Sequence, residues 1–159
     1  VPLGFFFGAA VLYVARPTWG SLAIGTAIGV LGEGIRVWAA GHLEKSREVT
    51  RSGPYRFTRH PLYVGSSIMG LGVAVGTASW IVFALVALYM GSTIAAAIRT
   101  EEAFLRERFG DEYDAYAESR APAVDRPFSL ERAWRNKEYR AMTGLLVAIA
   151  LLAIKAAWL

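Results

Sequence analysis

The run Leu62 to Ile98, LYVGSSIMGLGVAVGTASWIVFALVALYMGSTIAAAI, decides the fold. It is too long for a single membrane crossing, which takes about 20 residues of helix. Gly76-Thr77-Ala78-Ser79 lies in its middle, where small and polar residues can turn a chain. The run therefore predicts a helical hairpin with a short first arm. Working outward, Thr18 to Gly41 is long enough to span, Arg16-Pro17 separates it from an apolar Val1 to Ala15, and Ala141 to Leu159 offers a last crossing. Val1 to Ala15 lacks the basic flank of a signal peptide and reads as a membrane helix whose start is trimmed. The predicted class is all-α: a polytopic membrane protein of about five transmembrane helices, in one domain covering 1–159.

Composition agrees. Hydrophobic residues make up 55% of the chain, against about 45–50% in soluble domains. Of 17 Lys and Arg, all but Arg16, Arg36 and Lys155 lie in His42 to His60 or in Arg99 to Arg140. Five spans put both basic segments on one side, which the positive-inside rule assigns to the cytoplasm. Lys155, near the opposite boundary, is expected to snorkel to the headgroups. Acids interleave with the bases and no helix is basic along one face, which argues against nucleic acid. With 0 Cys there is no disulfide, no thiolate nucleophile and no Cys-ligated metal; no metal is expected.

Arg99 to Tyr116 is amphipathic, with Phe104, Leu105, Phe109, Tyr113 and Tyr116 at helical spacing. It predicts a cytoplasmic extension of the fourth span, interrupted at Gly110. Ser129 to Arg140 begins with a Ser cap and carries Trp134 and Tyr139, as suits a helix lying at the interface. The pairs Gly4/Gly8, Gly25/Gly29 and Gly72/Gly76 have Gly-x-x-x-Gly spacing, which serves close helix packing.

The residues that carry chemistry stand at the mouth of the hairpin. In Gly53-Pro54-Tyr55-Arg56-Phe57-Thr58-Arg59-His60-Pro61-Leu62-Tyr63-Val64-Gly65, Pro61 disfavours helix at His60 and opens a helix itself. The first-turn N–H groups would then face the cytoplasmic boundary and receive an acceptor group. At the other end of the hairpin Glu101 and Glu102 are adjacent, so they point about 100° apart on a helix and must serve different partners. Glu102 has the spacing to pair with Arg99 or Arg106. Glu33 and Arg36 are spaced to meet on one face of the second span, either neutralising each other or lining an acceptor tunnel.

Read as Gly-Pro-Tyr, then Arg-His-Pro-x-Tyr-x-Gly, then Gly70-Leu71-Gly72, Glu101-Glu102 and Phe109-Gly110-x-x-Tyr113-x-x-Tyr116, the ordered set resembles integral-membrane methyltransferases of the isoprenylcysteine carboxyl methyltransferase and phospholipid N-methyltransferase group. The resemblance runs from Gly53 to Tyr116. It implies S-adenosylmethionine as cofactor and a lipophilic acceptor, a prenylcysteine-like carboxylate or an aminolipid, at the cytoplasmic face of a bacterial or archaeal inner membrane. It implies catalytic roles for Arg59, His60 and Glu102. His60 and Tyr63 would contact the methionyl moiety, Glu101 or Glu102 its amine or the ribose hydroxyls, and Tyr55 would help close the site. Pro61, Leu62, Gly65, Gly70 and Gly72 complete the implied cofactor set. Two other readings compete. Sterol reductases share an Arg-His-Pro-x-Tyr-like element and use NADPH, but usually have an Arg-Asp string where this chain has Thr100-Glu101-Glu102. A non-enzymatic membrane module explains the composition alone.

Overall fold

The computed structural model describes residues 2–159; the predicted start of the first span at Val1 lies outside them. The elements are α1 (Pro2–Val14), α2 (Trp19–Ala40), a single 3-10 turn Gly53–Arg56, α3 (Pro61–Gly76), α4 (Trp80–Phe109), α5 (Asp111–Ala117), α6 (Leu130–Arg135) and α7 (Tyr139–Trp158). Among the described residues there is no strand. The helices α2, α4 and α7 are long and apolar enough to cross a membrane, and α1 and α3 are shorter apolar helices. Together they make an integral membrane protein with several apolar spans. Large apolar side chains such as Phe5, Ile24, Leu88, Leu146 and Ile154 stay exposed on the bundle, which hydrocarbon solvates and water does not.

The polar contacts sort the helix ends into two groups. At one end the Arg16 amide donates to the Thr77 carbonyl at 2.8 Å and Ser21 Oγ to the Gly76 carbonyl at 3.1 Å. Lys155 Nζ donates there to the carbonyls of Leu12 at 2.6 Å and Tyr13 at 2.8 Å. The ammonium expected to snorkel toward the headgroups thus caps α1, whose last carbonyls have no partner within the helix. At the other end Asn136 Nδ2 donates to the carbonyls of Ala40 and Leu43 at 2.9 and 2.8 Å, and Arg36 pairs with Glu138. The charged segments gather at this second end.

The helical hairpin forms as predicted, with α3 ending at Gly76, Thr77 capping it and Ser79 opening α4. The left-handed residue of the turn is Ala78, at φ 49°. Gly76 is spent instead on α2, because a Cβ on Gly25 would come within 2.6 Å of the Gly76 nitrogen. This is one step of a seam. A Cβ on Gly72 would lie 2.5 Å from the Gly29 nitrogen, and one on Gly32 would lie 2.7 Å from the Gly65 carbonyl. Backbone meets backbone along the length of α2 and α3, as small residues permit. Gly8 has nothing within 4 Å of a Cβ position, so the Gly4/Gly8 pair does not take part in such packing.

The extension of α4 is continuous to Phe109, where Gly110 takes φ 52° and ends it. The left-handed region costs glycine little. The second amphipathic segment differs from its expectation. Ser129 Oγ caps α6, accepting from the Arg132 amide at 3.2 Å, but α6 stops at Arg135 and Tyr139 opens α7. Asn136 is held by the end of α2, Lys137 turns at φ 62° and Glu138 is drawn to Arg36, so a helix through Arg140 cannot continue.

Candidate active site

At the charged end a cavity of about 610 Å³ opens between α3, α4 and the loop that follows α2. That is within the usual range for small-molecule sites, about 300–1,000 Å³. Helix α4 supplies Ala97, Thr100, Glu101, Phe104 and Leu105, one face of its extension. The start of α3 supplies Leu62 and Tyr63, and the segment before it Tyr55 and Arg59. Residues 43–50 form the remaining wall, and Arg36 and Tyr116 also reach the lining.

Each wall has a local cause. Gly53 sits at φ 55° with the His42 ring against the place where a Cβ would be, so the chain turns tightly into Pro54 and Tyr55. His42 Nδ1 lies 3.1 Å from Ser52 Oγ. Burial, and then the nearby charges of Arg132, Arg126 and Arg56, hold the His42 imidazole below its usual pKa. The Tyr116 hydroxyl donates to the Tyr55 carbonyl at 2.7 Å and to the Thr58 carbonyl at 3.3 Å, pinning α5 against the turn. Burial raises the pKa of both phenols, Tyr55 and Tyr116, so each remains a hydroxyl at ordinary pH.

Residues 43–50 are held by charge. Glu44 accepts from Arg132 Nε at 2.7 Å and pairs with Arg135 at 3.0 Å; the hydrogen bond from Arg132 keeps its carboxyl below the usual range. Arg126 pairs with Glu48 at 2.5 Å, and Arg108 Nε donates to the Ser46 carbonyl at 3.0 Å, tying this wall to α4.

The adjacent carboxylates diverge as helix geometry requires. Glu101 lines the cavity. Glu102 turns away and gathers nitrogen partners: His60 Nε2 at 2.9 Å, Arg59 Nη1 at 3.1 Å and Arg106 Nη1 at 3.7 Å. His60 stands just outside the lining, its ring 5.9 Å from that of Tyr63, and its Nδ1 is buried without a partner. His60 precedes the helix and Pro61 opens it, as expected. The amides of Tyr63 and Val64 both bond to the His60 carbonyl at 3.1 Å, so the first turn offers fewer free donors than the sequence suggests.

Of the residues singled out from sequence, Tyr55, Arg59, Leu62, Tyr63 and Glu101 come together around the cavity, with His60 and Glu102 directly behind it. Pro61 is buried at the helix start. Gly65 packs on Arg36 and Gly32, Gly72 on Gly25 and Gly29, and Gly70 on the Met90 side chain; these three glycines lie in helix contacts. The Glu33–Arg36 pairing is corrected. Arg36 Nε and Nη2 bond the two oxygens of Glu138 at 2.6 and 3.0 Å, and Nη1 reaches Ser66 Oγ and the Leu62 carbonyl at 3.3 Å. The Glu33 oxygens are buried with no partner. A neighbour across the bundle outcompetes one on the same helix because it presents both carboxylate oxygens to the guanidinium fork. Arg36, for which a place in a tunnel lining was one of the two readings, does reach the cavity wall; sequence reasoning missed the wall 43–50, since no local pattern reports which loop folds over a site. Among the described residues no group of three or more His, Asp or Glu is placed to hold a metal ion.

Comparison with known proteins gives the family. The chain is 37% identical over 122 residues to the nickel-cobalt-cadmium resistance protein NccN of Alcaligenes xylosoxydans xylosoxydans, covering 73% of this chain and 56% of that protein. It is 38% identical over 121 residues to the cobalt-zinc-cadmium resistance protein CzcN of Cupriavidus metallidurans, covering 72% and 55%. A protein-S-isoprenylcysteine O-methyltransferase of Schizosaccharomyces pombe is 34% identical over 77 residues, 48% of this chain and 33% of that enzyme. The chain thus spans little more than half the length of the two resistance proteins. No solved structure matches. The model of the family described as phospholipid methyltransferase matches residues 5–112, a stretch that holds most of α1, all of α2, α3 and α4 and every residue singled out above for the cofactor, and the chain belongs to that family, a class of S-adenosylmethionine-dependent methyltransferases.

Proposed function

We propose that this protein transfers a methyl group from S-adenosylmethionine to a lipophilic acceptor, in the cavity between α3 and α4 at the cytoplasmic boundary. The observation that carries the reading is the composition of that cavity. Its lining carries the carboxylates of Glu101 and Glu48, the latter already paired with Arg126, several aromatic faces, the guanidiniums of Arg59 and Arg36, the latter committed to Glu138, and an apolar strip of Ala97, Leu62, Phe104 and Leu105. These suit a donor with an ammonium, a carboxylate, an adenine ring and a sulfonium. When bound, the donor supplies an electrophilic methyl group.

The roles of the chain's own residues follow from their places. Glu101 holds the ammonium or the ribose hydroxyls. Tyr55, Tyr63 and Phe104 present π faces, and a cation over such a face gains about 0.5–2 kcal/mol. Arg59 orients a carboxylate, and Glu102 fixes Arg59 while also holding His60. Toward a carboxylate acceptor His60 and Glu102 are therefore positioning residues. A carboxylate acceptor needs no base, because its oxygen is already a nucleophile. An amine acceptor must lose a proton, for which the unpartnered Nδ1 of His60 or the carboxylate of Glu101 is the base. Much of the acceleration comes from holding acceptor and donor in line and close. The acceptor class, a prenylcysteine-like carboxylate or an aminolipid, follows the family and the yeast relative's printed name. The resistance named for the two bacterial relatives concerns metals, and nothing in the described residues builds a metal site, so direct metal handling forms no part of this reading.

The test is binding of S-adenosylmethionine and of NADPH to purified protein, followed by a radiolabelled methyl-transfer screen against lipid extracts and prenylcysteine analogues. Glu101→Gln should weaken donor binding roughly 10- to 100-fold, the range for one charge-assisted hydrogen bond. Glu102→Gln should keep donor binding within a few-fold and lower turnover. Tight NADPH binding with no affinity for S-adenosylmethionine would overturn the reading in favour of a reductase.

A further inference from the structure

Beside the cavity lies a second, of about 430 Å³, which shares Tyr55, Arg59 and Tyr116 with the first as a common wall. Arg51, Arg56 and Arg59 line it with the hydroxyls of Thr58 and Ser119, and none of its lining residues is acidic. Its guanidiniums are incompletely matched. Arg51 Nη1 donates to the Pro122 carbonyl at 3.1 Å and Arg56 Nη2 to the Val124 carbonyl at 3.4 Å, both neutral acceptors. Arg51 Nε is buried with no partner. The carboxylate facing Arg56, that of Asp125 at 3.0 Å, is fully exposed and so weakly felt. Arg59 shares Glu102 with His60 and Arg106.

Three guanidiniums around one pocket, with a buried donor left open, call for an anion with more than one oxygen edge. A carboxylate occupies one guanidinium fork, whereas a phosphate presents several oxygens to several forks at once. The lining residues between 51 and 59 also directly precede α3, the apolar helix that opens at Pro61.

We propose that this arginine pocket binds a phosphate group, mono- or diester, distinct from whatever occupies the larger cavity. The site does not depend on methyl transfer. Two sources share the chemistry, a phospholipid headgroup and a soluble phosphate. Calorimetric titration of the purified chain with dihexanoyl phosphatidic acid, inorganic phosphate and acetate separates them.

Binding of the lipid probe alone assigns a headgroup, and binding of inorganic phosphate as well assigns a free-phosphate site; either supports the proposal. Arg51→Gln and Arg56→Gln should each weaken the phosphate probe roughly 10-fold or more, with S-adenosylmethionine affinity unchanged. Both arginines also hold the segment 122–124, so Ala121→Glu serves as a second variant. It keeps every arginine, places a carboxylate among them, and should abolish phosphate binding with the thermal transition retained. Acetate binding as tightly as phosphate, no phosphate probe binding the unmodified chain, or undiminished binding in Ala121→Glu would overturn the proposal.

Discussion

The two sides of α3 are built on opposite principles. Toward α2 it is sealed by glycines that bring backbone onto backbone. Toward α4 it is held by side chains: Val82 and Val86, the buried residues of α4, join Val11 and Ala74 in one cluster, and Met90 packs over Gly70. Further along, α4 contributes Ala97, Glu101 and Leu105 to an open cavity. The closed seam fixes where Arg59, Leu62 and Tyr63 stand, and the open one gives a ligand room beside them. Rigidity on one face and vacancy on the other come from the same helix.

Substitutions can break or sharpen this contrast. The largest effect should come from Arg36→Met, at the charged end of the closed seam, where one guanidinium ties α2 to α3 and α7. Leaving Glu138 buried without its partner should cost about 3–5 kcal/mol, seen as loss of monodisperse protein and a sharply lower thermal midpoint. Next is Gly72→Leu, which forces a side chain into the Gly25 and Gly29 backbone. Overpacking there should cost about 1–3 kcal/mol, whereas Gly8→Leu, with open space around it, should leave the midpoint unchanged.

A smaller effect should follow from acid. The folded protein depresses the pKa of His42, so the stability held in its neutral ring is fully present above the unfolded value of about 6.5. That stability is lost as pH falls through the folded value. Donor affinity measured from pH 7.5 down to pH 5 should fall as the support beneath Gly53 charges, and His42→Gln should flatten that part of the profile. The least effect on stability belongs to the open seam: Ala97→Phe should leave the midpoint nearly unmoved and reduce donor binding at least 10-fold. A large loss of stability in Ala97→Phe would show that the α3–α4 side is packed after all.

The hairpin, the continuation of α4 past its apolar stretch, the stop at Gly110 and the placing of His60 before Pro61 were all legible from residue order. So was the divergence of Glu101 and Glu102, since neighbouring residues on a helix cannot share a face. The partners were not legible. Glu33 and Arg36 had ideal spacing for each other, yet Glu138, far away in sequence, took the guanidinium, and Lys155 found the end of α1.

Sequence by itself determined the class of molecule, the helices, the end at which charge collects and the string of residues at the mouth of the hairpin, because hydropathy and backbone preference act locally. Tertiary structure alone decided which of those residues face the cavity, which stand behind them and which glycines serve packing. Those choices depend on contacts between helices remote in sequence, and a side chain's direction is set by the competition among all the groups that can reach it.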